Sequence, residues 1–460
     1  MTRLSNQNII LFFLLLVSVI IFLCTKTEDE ISYFIFIYNF LVFGGLGFFI
    51  ISKAKKFTLK IKSYFQLEIL FWIFYYIIFY LPYTQIFIDG NIQESTFISR
   101  QFVEQSNRAI TASTIGFISF VIGRYAPLRT RHHKIQYIKE ELNISKILLL
   151  LSTIASLIFG ILFLPQAIIM ITSSYIGSEF TDIGNTISYF FLQFFLSVMI
   201  INTLFIYIRL KKATFLNYFS CIIFIFFLIL ILLTGDRSGF IKLLTVPFFI
   251  ITHYIYKIKL KYIIIGAILI FAIYDFIETF RMMDHFTIED YYALSEERNE
   301  KHENDSSFNN TTTLTRASFY YIDKLNNDYS YGYFLLIAFL RVIPFGISTF
   351  FPNEQHYGTS TILTEVCHSD FSLGSSIIAE AYIEFGIIGI ILYLFLIGYL
   401  VNYCSKKILE NKLGLMELSI YAILLSTVIV IPRYSTAAIL REIIWMLILL
   451  KSTKFLYKNA

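Results

Sequence analysis

A short polar turn near the middle of the chain places an arginine beside an aspartate, between two apolar runs. The turn reads Gly235-Asp236-Arg237-Ser238-Gly239. Charge at the edge of an apolar segment is costly unless it pairs or faces a cavity. Two interpretations therefore stay open. Either Asp236 and Arg237 pair to shape a tight turn, or the planar guanidinium of Arg237 binds phosphate oxygens.

Two more arginines, Arg341 and Arg433, lie in apolar surroundings, each close to a proline. A long arginine side chain at such a place can extend to lipid headgroups. The alternative is that these two arginines converge with Arg237 on a shared pocket. A cluster of guanidinium groups suits a substrate that carries phosphate, such as a lipid pyrophosphate.

A pair of glutamates stands four residues apart, just before an apolar run late in the chain. If a helix begins at Ser375, Glu380 and Glu384 lie on one face of it. One of two neighbouring carboxylates tends to keep a proton or to need a cation, so one of them could accept a proton from a hydroxyl. His368 is an alternative base. Acidic residues near a helix start can also be purely structural.

Signatures of several other chemistries are absent from the sequence. It contains no GxxxxGKS phosphate loop, no HExxH and no GxSxG elbow. The four cysteines form no CxxC pair, and the histidines show no metal-ligand spacing. We therefore expect no metal ion and no cofactor.

The elements that position these residues are membrane helices. Hydrophobic residues make up 57% of the chain and charged residues 15%, which is too few charges for a soluble domain. The first apolar run is not followed by a cleavage site, so we expect it to remain as a span. Runs long enough to cross a bilayer predict about twelve transmembrane helices, at residues 9–24, 32–52, 64–81, 109–123, 147–165, 187–208, 215–234, 239–256, 262–280, 385–404, 415–431 and 437–456.

The positions of the basic residues predict the orientation. Most of the 37 Lys and Arg residues fall in segments that share one side of the membrane if the amino terminus is inside. This bias places both termini in the cytoplasm. The short loops on the outer side then hold few basic residues, namely Lys26, Arg100, Arg108, Arg237 and Arg433.

The apolar runs divide the chain into three parts. Residues 1–280 form an amino-terminal membrane block of nine predicted helices, 281–384 a large outer loop, and 385–460 a carboxy-terminal block of three. The loop contains an apolar stretch at 331–348. A crossing there would put later basic residues outside, so we predict a re-entrant or surface-lying helical element. The predicted fold is an all-α polytopic membrane protein.

The sequence resembles the O-antigen polymerases of the Wzy type, which polymerise oligosaccharide repeat units. The resemblance rests on the number of spans, the Gly235-Asp236-Arg237-Ser238-Gly239 turn and the late outer loop. It also rests on the loop's exit, Gly-Ser-Ser-Ile-Ile-Ala-Glu-Ala-Tyr-Ile-Glu-Phe-Gly-Ile-Ile-Gly at 374–389. The related O-antigen ligases carry a loop histidine before a similar exit, and His368 has a comparable place.

The resemblance implies a glycosyltransferase-type reaction in the bacterial inner membrane. The growing glycan would move from undecaprenyl pyrophosphate onto the sugar of a new lipid-linked repeat unit. Arg237, Arg341 and Arg433 would hold the pyrophosphate, with Arg237 also stabilising its developing charge. Glu380 or His368 would accept the hydroxyl proton.

The resemblance also implies further contacts and partners. We expect the glycan to be held by Asp236, Asp370, Tyr382 and Glu384. A chain-length regulator and a flippase in the same membrane are expected partners, and nucleic acid is not. Two other interpretations stay open: a flippase or exporter of lipid-linked oligosaccharide, and a membrane acyltransferase.

Overall fold

Helices dominate the part of the chain that the computed structural model describes, which is residues 6–25, 32–58, 66–81, 84, 106–127, 138–172, 183–234, 236–256, 262, 265–266, 329–340, 342, 376–409, 414–428 and 436–459. No strand occurs within these ranges. The α-helices are α1 (Asn6–Cys24), α2 (Tyr33–Thr58), α3 (Leu67–Phe79), α4 (Ser106–Arg124), α5 (Ile138–Thr172), α6 (Ile183–Leu210), α7 (Phe215–Leu233), α8 (Arg237–Ile250), α9 (Tyr333–Leu340), α10 (Ile377–Leu409), α11 (Leu415–Val428) and α12 (Thr436–Asn459). A π-helical turn, Ile251–Ile255, continues α8.

Five helices of the described part are long and apolar enough to cross a bilayer: Tyr33–Lys53 in α2, Lys139–Ile171 in α5, Ile187–Leu210 in α6, Phe215–Leu233 in α7 and Ile377–Lys406 in α10. Shorter apolar helices cover Asn8–Cys24, Leu67–Phe79, Gly239–Ile255 and Leu415–Thr427. These findings confirm a helical membrane protein. The count of twelve spans stays a prediction, because almost all of the run at 262–280 lies outside the described residues.

Helix α4 lies at the centre of the bundle. Every residue from 109 to 124 is buried, and α4 packs against α1, α2 and α10. Its hydroxyl side chains donate to carbonyl groups one turn earlier, as Thr111 does to Asn107 at 2.8 Å, so these hydroxyl groups need no water. Helices α2 and α7 lie at the edge, because Phe34, Phe48 and Phe215 are exposed and suit contact with lipid tails.

The bundle has two ends that differ in charge. At one end α4, α6, α8, α10 and α12 begin, and we call this the Asp236 end. At the other end, the Arg124 end, lie basic residues such as Arg124, Lys211 and Lys454, the last paired with Glu140 at 3.4 Å. The orientation that the basic residues predict stays a prediction.

A short helix is present in the apolar stretch of the predicted loop. Helix α9 has eight residues, Tyr333–Leu340, and packs against α10 and α12. A helix therefore lies within 331–348, and its re-entrant or surface-lying placement in an outer loop stays a prediction. The division into 1–280, 281–384 and 385–460 stays a prediction, since most of 281–384 lies outside the described residues.

Candidate functional site

The Asp236 turn is built around one carboxylate. Asp236 precedes the first residue of α8 and caps it, its Oδ1 accepting from the Gly239 N–H at 3.0 Å. Its Oδ2 accepts from the Tyr189 hydroxyl and from Gln193 Nε2 at 3.3 Å, both on α6. Asp236 therefore joins α6 to α8. Arg237 is the first helical residue of α8, and its side chain lies outside the description.

The second glycine of the motif, Gly239, is required by close packing. A Cβ at this position would lie 2.3 Å from Asp236 Oδ2 and 2.3 Å from Gln193 Nε2. Neither group can withdraw without losing the hydrogen bond between them. Gly239 is therefore required because Asp236 and Gln193 approach its Cα closely. Its backbone conformation is that of an ordinary α-helix.

A cluster of charges that sequence reasoning missed lies between α8 and α12. Lys242 Nζ pairs with Glu442 Oε1, with side-chain exposures of 14% and 7%. The guanidinium carbon of the neighbouring Arg441 lies 3.7 Å from the centroid of the Phe190 ring. No role was assigned to Lys242, Arg441 or Glu442 from the sequence alone. A signal was available, because Lys242 stands alone as a Lys or Arg in the run 239–256.

Glu384 is buried, 1% exposed, and its carboxylate receives donors from the start of α9. Oε2 accepts from the Gly332 N–H at 2.6 Å and the Ser330 hydroxyl at 2.9 Å, and Oε1 from the Leu335 N–H at 2.5 Å. A carboxylate at a helix amino terminus satisfies N–H groups that have no partner in the helix and matches its dipole. We call this arrangement the Glu384 clamp.

The backbone next to the clamp leaves the helical conformation. Within α10, Phe385 (φ −144°, ψ 25°) and Gly386 (φ 60°, ψ −143°) break the helix into two segments. The Gly386 conformation is open almost only to glycine. The break leaves carbonyl groups of α10 free to accept hydrogen bonds from the segment that precedes α9. The Ser330 N–H donates to Ile383 O at 2.8 Å and the Tyr331 N–H to Glu384 O at 3.1 Å.

Helix α9 is held at both ends. The Glu384 clamp ties its start to α10. Just beyond its end, the Val342 carbonyl accepts from Trp445 Nε1 of α12 at 2.8 Å. The Trp445 ring also lies edge-on to Phe191 of α6, with centroids 5.7 Å apart. The position of α9 is therefore set by α6, α10 and α12 together.

Tyr382 lies in an aromatic cluster with an arginine. Its hydroxyl is 3.5 Å from Arg108 Nη2, and its ring centroid is 6.1 Å from those of Phe22 and Tyr329. Arg108 also stacks on Phe22 at 4.3 Å and donates to Thr25 O at 3.3 Å. Sequence reasoning placed Arg108 on the outer side without assigning it a role. The rarity of outer arginines is the signal that could have selected it.

The predicted site residues separate into three groups. Glu380, Tyr382 and Glu384 share the first segment of α10, where Glu380 is half-buried. Asp236 lies at the contact between α6 and α8. The remaining predicted residues, Arg341, His368, Asp370 and Arg433, lie outside the described residues, so the convergence of Arg237, Arg341 and Arg433 stays a prediction. Among the described residues no group of three or more His, Cys, Asp or Glu could hold a metal ion.

Comparison with known protein families gives a match over nearly the whole chain. The family model described as "O-antigen polysaccharide polymerase Wzy" matches residues 3–458. No curated protein and no solved structure matches the chain.

Proposed function

The chain belongs to the O-antigen polysaccharide polymerase Wzy family, and from this premise we propose that it polymerises repeat units carried on undecaprenyl pyrophosphate. A sugar hydroxyl of the new lipid-linked unit attacks the anomeric carbon of the growing glycan. The bond from that carbon to the pyrophosphate oxygen breaks, and the lipid pyrophosphate leaves with the electron pair. The hydroxyl proton passes to a protein base. The match over nearly the whole chain is the observation that carries this proposal.

The pyrophosphate belongs at the start of α8. Arg237, Arg341 and Arg433 hold it and stabilise the charge that grows as it leaves. Two contacts support this placement. Asp236 fixes the start of α8, where Arg237 stands. Trp445 fixes Val342, the chain neighbour of Arg341, against α12.

The two glutamates of α10 have different roles. The Glu384 carboxylate is occupied by donors from Ser330, Gly332 and Leu335, so it positions α9 rather than touching sugar. Glu380, one turn earlier and half-buried, is then the better placed of the two to take the hydroxyl proton. His368 remains the alternative base.

Aromatic side chains near the break in α10 suit the glycan. Tyr331 is exposed and lies beside Tyr329, with ring centroids 6.1 Å apart. Tyr329 in turn contacts the buried Tyr382. Rings with one apolar face and a polar edge suit sugar binding. We assign the glycan to these tyrosines, with Asp370 and Asp236 as further contacts and Tyr382 packing against Tyr329.

The arrangement in the membrane follows the same proposal. About twelve helices cross the bacterial inner membrane, in blocks at 1–280 and 385–460, with both termini cytoplasmic and 281–384 outside. The Asp236 end then faces away from the cytoplasm. A chain-length regulator and a flippase act beside the polymerase in the same membrane.

Purified protein supplied with undecaprenyl-pyrophosphate-linked repeat units should form a ladder of longer glycans. Deleting the gene should leave surface lipid bearing a single unit. The products are resolved by gel electrophoresis and mass spectrometry. Loss of every repeat unit from the outer surface, with no ladder from the purified protein, would instead identify a flippase. Full-length chains lacking only an ester would identify an acyltransferase.

Replacing Arg237 with alanine should lower the polymerisation rate about 10- to 100-fold, because a charge-assisted hydrogen bond to the leaving group is lost. The control is Lys212→Ala, which removes an exposed basic residue at the Arg124 end and should leave the rate unchanged. Chains of normal length from Arg237→Ala at normal protein level would remove Arg237 from the site.

A further inference from the structure

The Lys242–Glu442 pair lies within the apolar part of the bundle. Lys242 is six residues into α8 counted from Asp236, and Glu442 is six residues into α12 counted from Thr436. At 1.5 Å per residue both lie about 9 Å from their helix starts. In the membrane arrangement proposed above, with a hydrocarbon core of about 30 Å, that depth is inside the outer leaflet. Ionisable residues at such a depth are rare and mark binding sites or pathways.

Stability alone does not account for this pair. A buried ion pair adds little over apolar side chains of similar volume, because desolvation offsets the attraction. The pair at the other end of the bundle is more fully bonded. There Arg124 donates to both Glu68 at 2.9 Å and Asn402 at 3.2 Å.

The Lys242 ammonium keeps unused hydrogen-bonding capacity. A lysine carries three N–H donors. Within the described residues, its one hydrogen-bond partner is Glu442, and its side chain is 14% exposed. An anion that enters this site could accept hydrogen bonds from the Lys242 ammonium, which its ion pair with Glu442 holds in place.

The charge around the pair favours an anion. Three basic residues, Arg237, Lys242 and Arg441, stand with two acidic ones, Asp236 and Glu442, at the starts of α8 and α12. Asp236 is engaged by α6 and by its own helix. The starts of these two helices therefore carry one more basic residue than acidic residues.

From these contacts we propose that Lys242 binds a phosphate group of the lipid pyrophosphate, with Glu442 as its counter-ion when the site is empty. The proposal rests on the proposed function for the identity of the ligand. It makes Lys242 a binding residue below the arginines, at the depth where the lipid tail meets its pyrophosphate. Glu442 is a positioning residue that directs the ammonium.

The test removes both charges together. The Lys242→Met/Glu442→Leu variant keeps volume and leaves no charge unpaired. Its matched control is Glu68→Leu/Arg124→Met, which treats the other buried pair in the same way. Binding of inorganic pyrophosphate to the detergent-solubilised proteins is measured by calorimetry, and KM for the lipid-linked unit by product formation. The first variant should weaken pyrophosphate binding and raise KM at least about tenfold, whereas the control should match the wild-type protein.

Wild-type values for Lys242→Met/Glu442→Leu would overturn the proposal, as would a wild-type protein that does not bind pyrophosphate. If this double variant does not accumulate, the swapped pair Lys242→Glu/Glu442→Lys carries the test. It retains the attraction and should also lose pyrophosphate binding. Failure of the proposed function has a separate signature. In that case the wild-type protein binds pyrophosphate through Lys242 but extends no glycan.

Discussion

The Glu384→Ala variant should polymerise at least about 100-fold more slowly than the wild-type protein, because a displacement of about 1 Å at a reacting group has a cost of that size. The carboxylate of Glu384 is the acceptor for three donors at the start of α9. Without it, the N–H groups of Gly332 and Leu335 lose their partner inside the protein. Helix α9 then moves, and with it the segment that leads to Arg341.

Hydrogen exchange separates this positioning role from a catalytic one. The amides of Gly332 and Leu335 should exchange slowly in the wild-type protein and faster in Glu384→Ala. Glu384→Gln keeps one oxygen acceptor and should lie between the two, in both exchange and rate. The long helices do not depend on the clamp, so membrane accumulation should stay near the wild-type level.

A control carboxylate is available at the opposite end of the bundle. Glu140 pairs at 3.4 Å with Lys454, whose side chain is 48% exposed, and such pairs contribute little. Glu140→Ala should therefore leave polymerisation and exchange at 329–340 unchanged. Normal polymer from Glu384→Ala, with unaltered exchange of Gly332 and Leu335, would refute the clamp.

The second large effect concerns stability. Arg124→Ala should destabilise the protein by about 3–5 kcal/mol, the usual cost of leaving a buried charge without its partner. Glu68, 3% exposed, would stay in the interior alone, and Asn402 Oδ1 would lose a donor. Thermal unfolding in detergent, followed by fluorescence, measures the change.

The matched comparison is the double variant Glu68→Leu/Arg124→Met, which removes both charges and should recover most of the lost stability. This pair links α3 to α4, and Asn402 extends the link to α10. Equal stability of Arg124→Ala and the wild-type protein would mean that the ion pair contributes nothing to these contacts. A double variant less stable than the single one would show that the pair is needed for more than charge balance.

Local patterns predicted the helices well because apolar runs express a property of single residues. The run at 215–234 became α7 (Phe215–Leu233), and the apolar stretch at 331–348 contains α9. The Asp236 turn was also found from sequence, since a charged pair between two apolar runs is visible without any contact. The family resemblance, based on that turn and the loop exit, is confirmed by the family match over residues 3–458.

The hydrogen-bond and ion-pair partners of individual side chains could not be predicted in the same way. Spacing placed Glu380 and Glu384 on one face and suggested chemistry for both. In the structure, the Glu384 carboxylate accepts hydrogen bonds from donors more than forty residues earlier in the chain, and the nearest of these in sequence is Leu335. Lys242 and Glu442 are 200 positions apart, and neither apolar run indicates that the other supplies a counter-ion.

The sequence by itself determined that this is a helical membrane protein of the Wzy type, where many of its helices lie, and which turn carries charge. Transfer from water to lipid depends on the composition of a short segment, and composition is local. Only the tertiary structure decided that Glu384 holds α9, that Asp236 joins α6 to α8, and that Lys242 meets Glu442. Those contacts depend on the rotation and depth at which each helix packs, which the combined packing of all neighbouring helices determines.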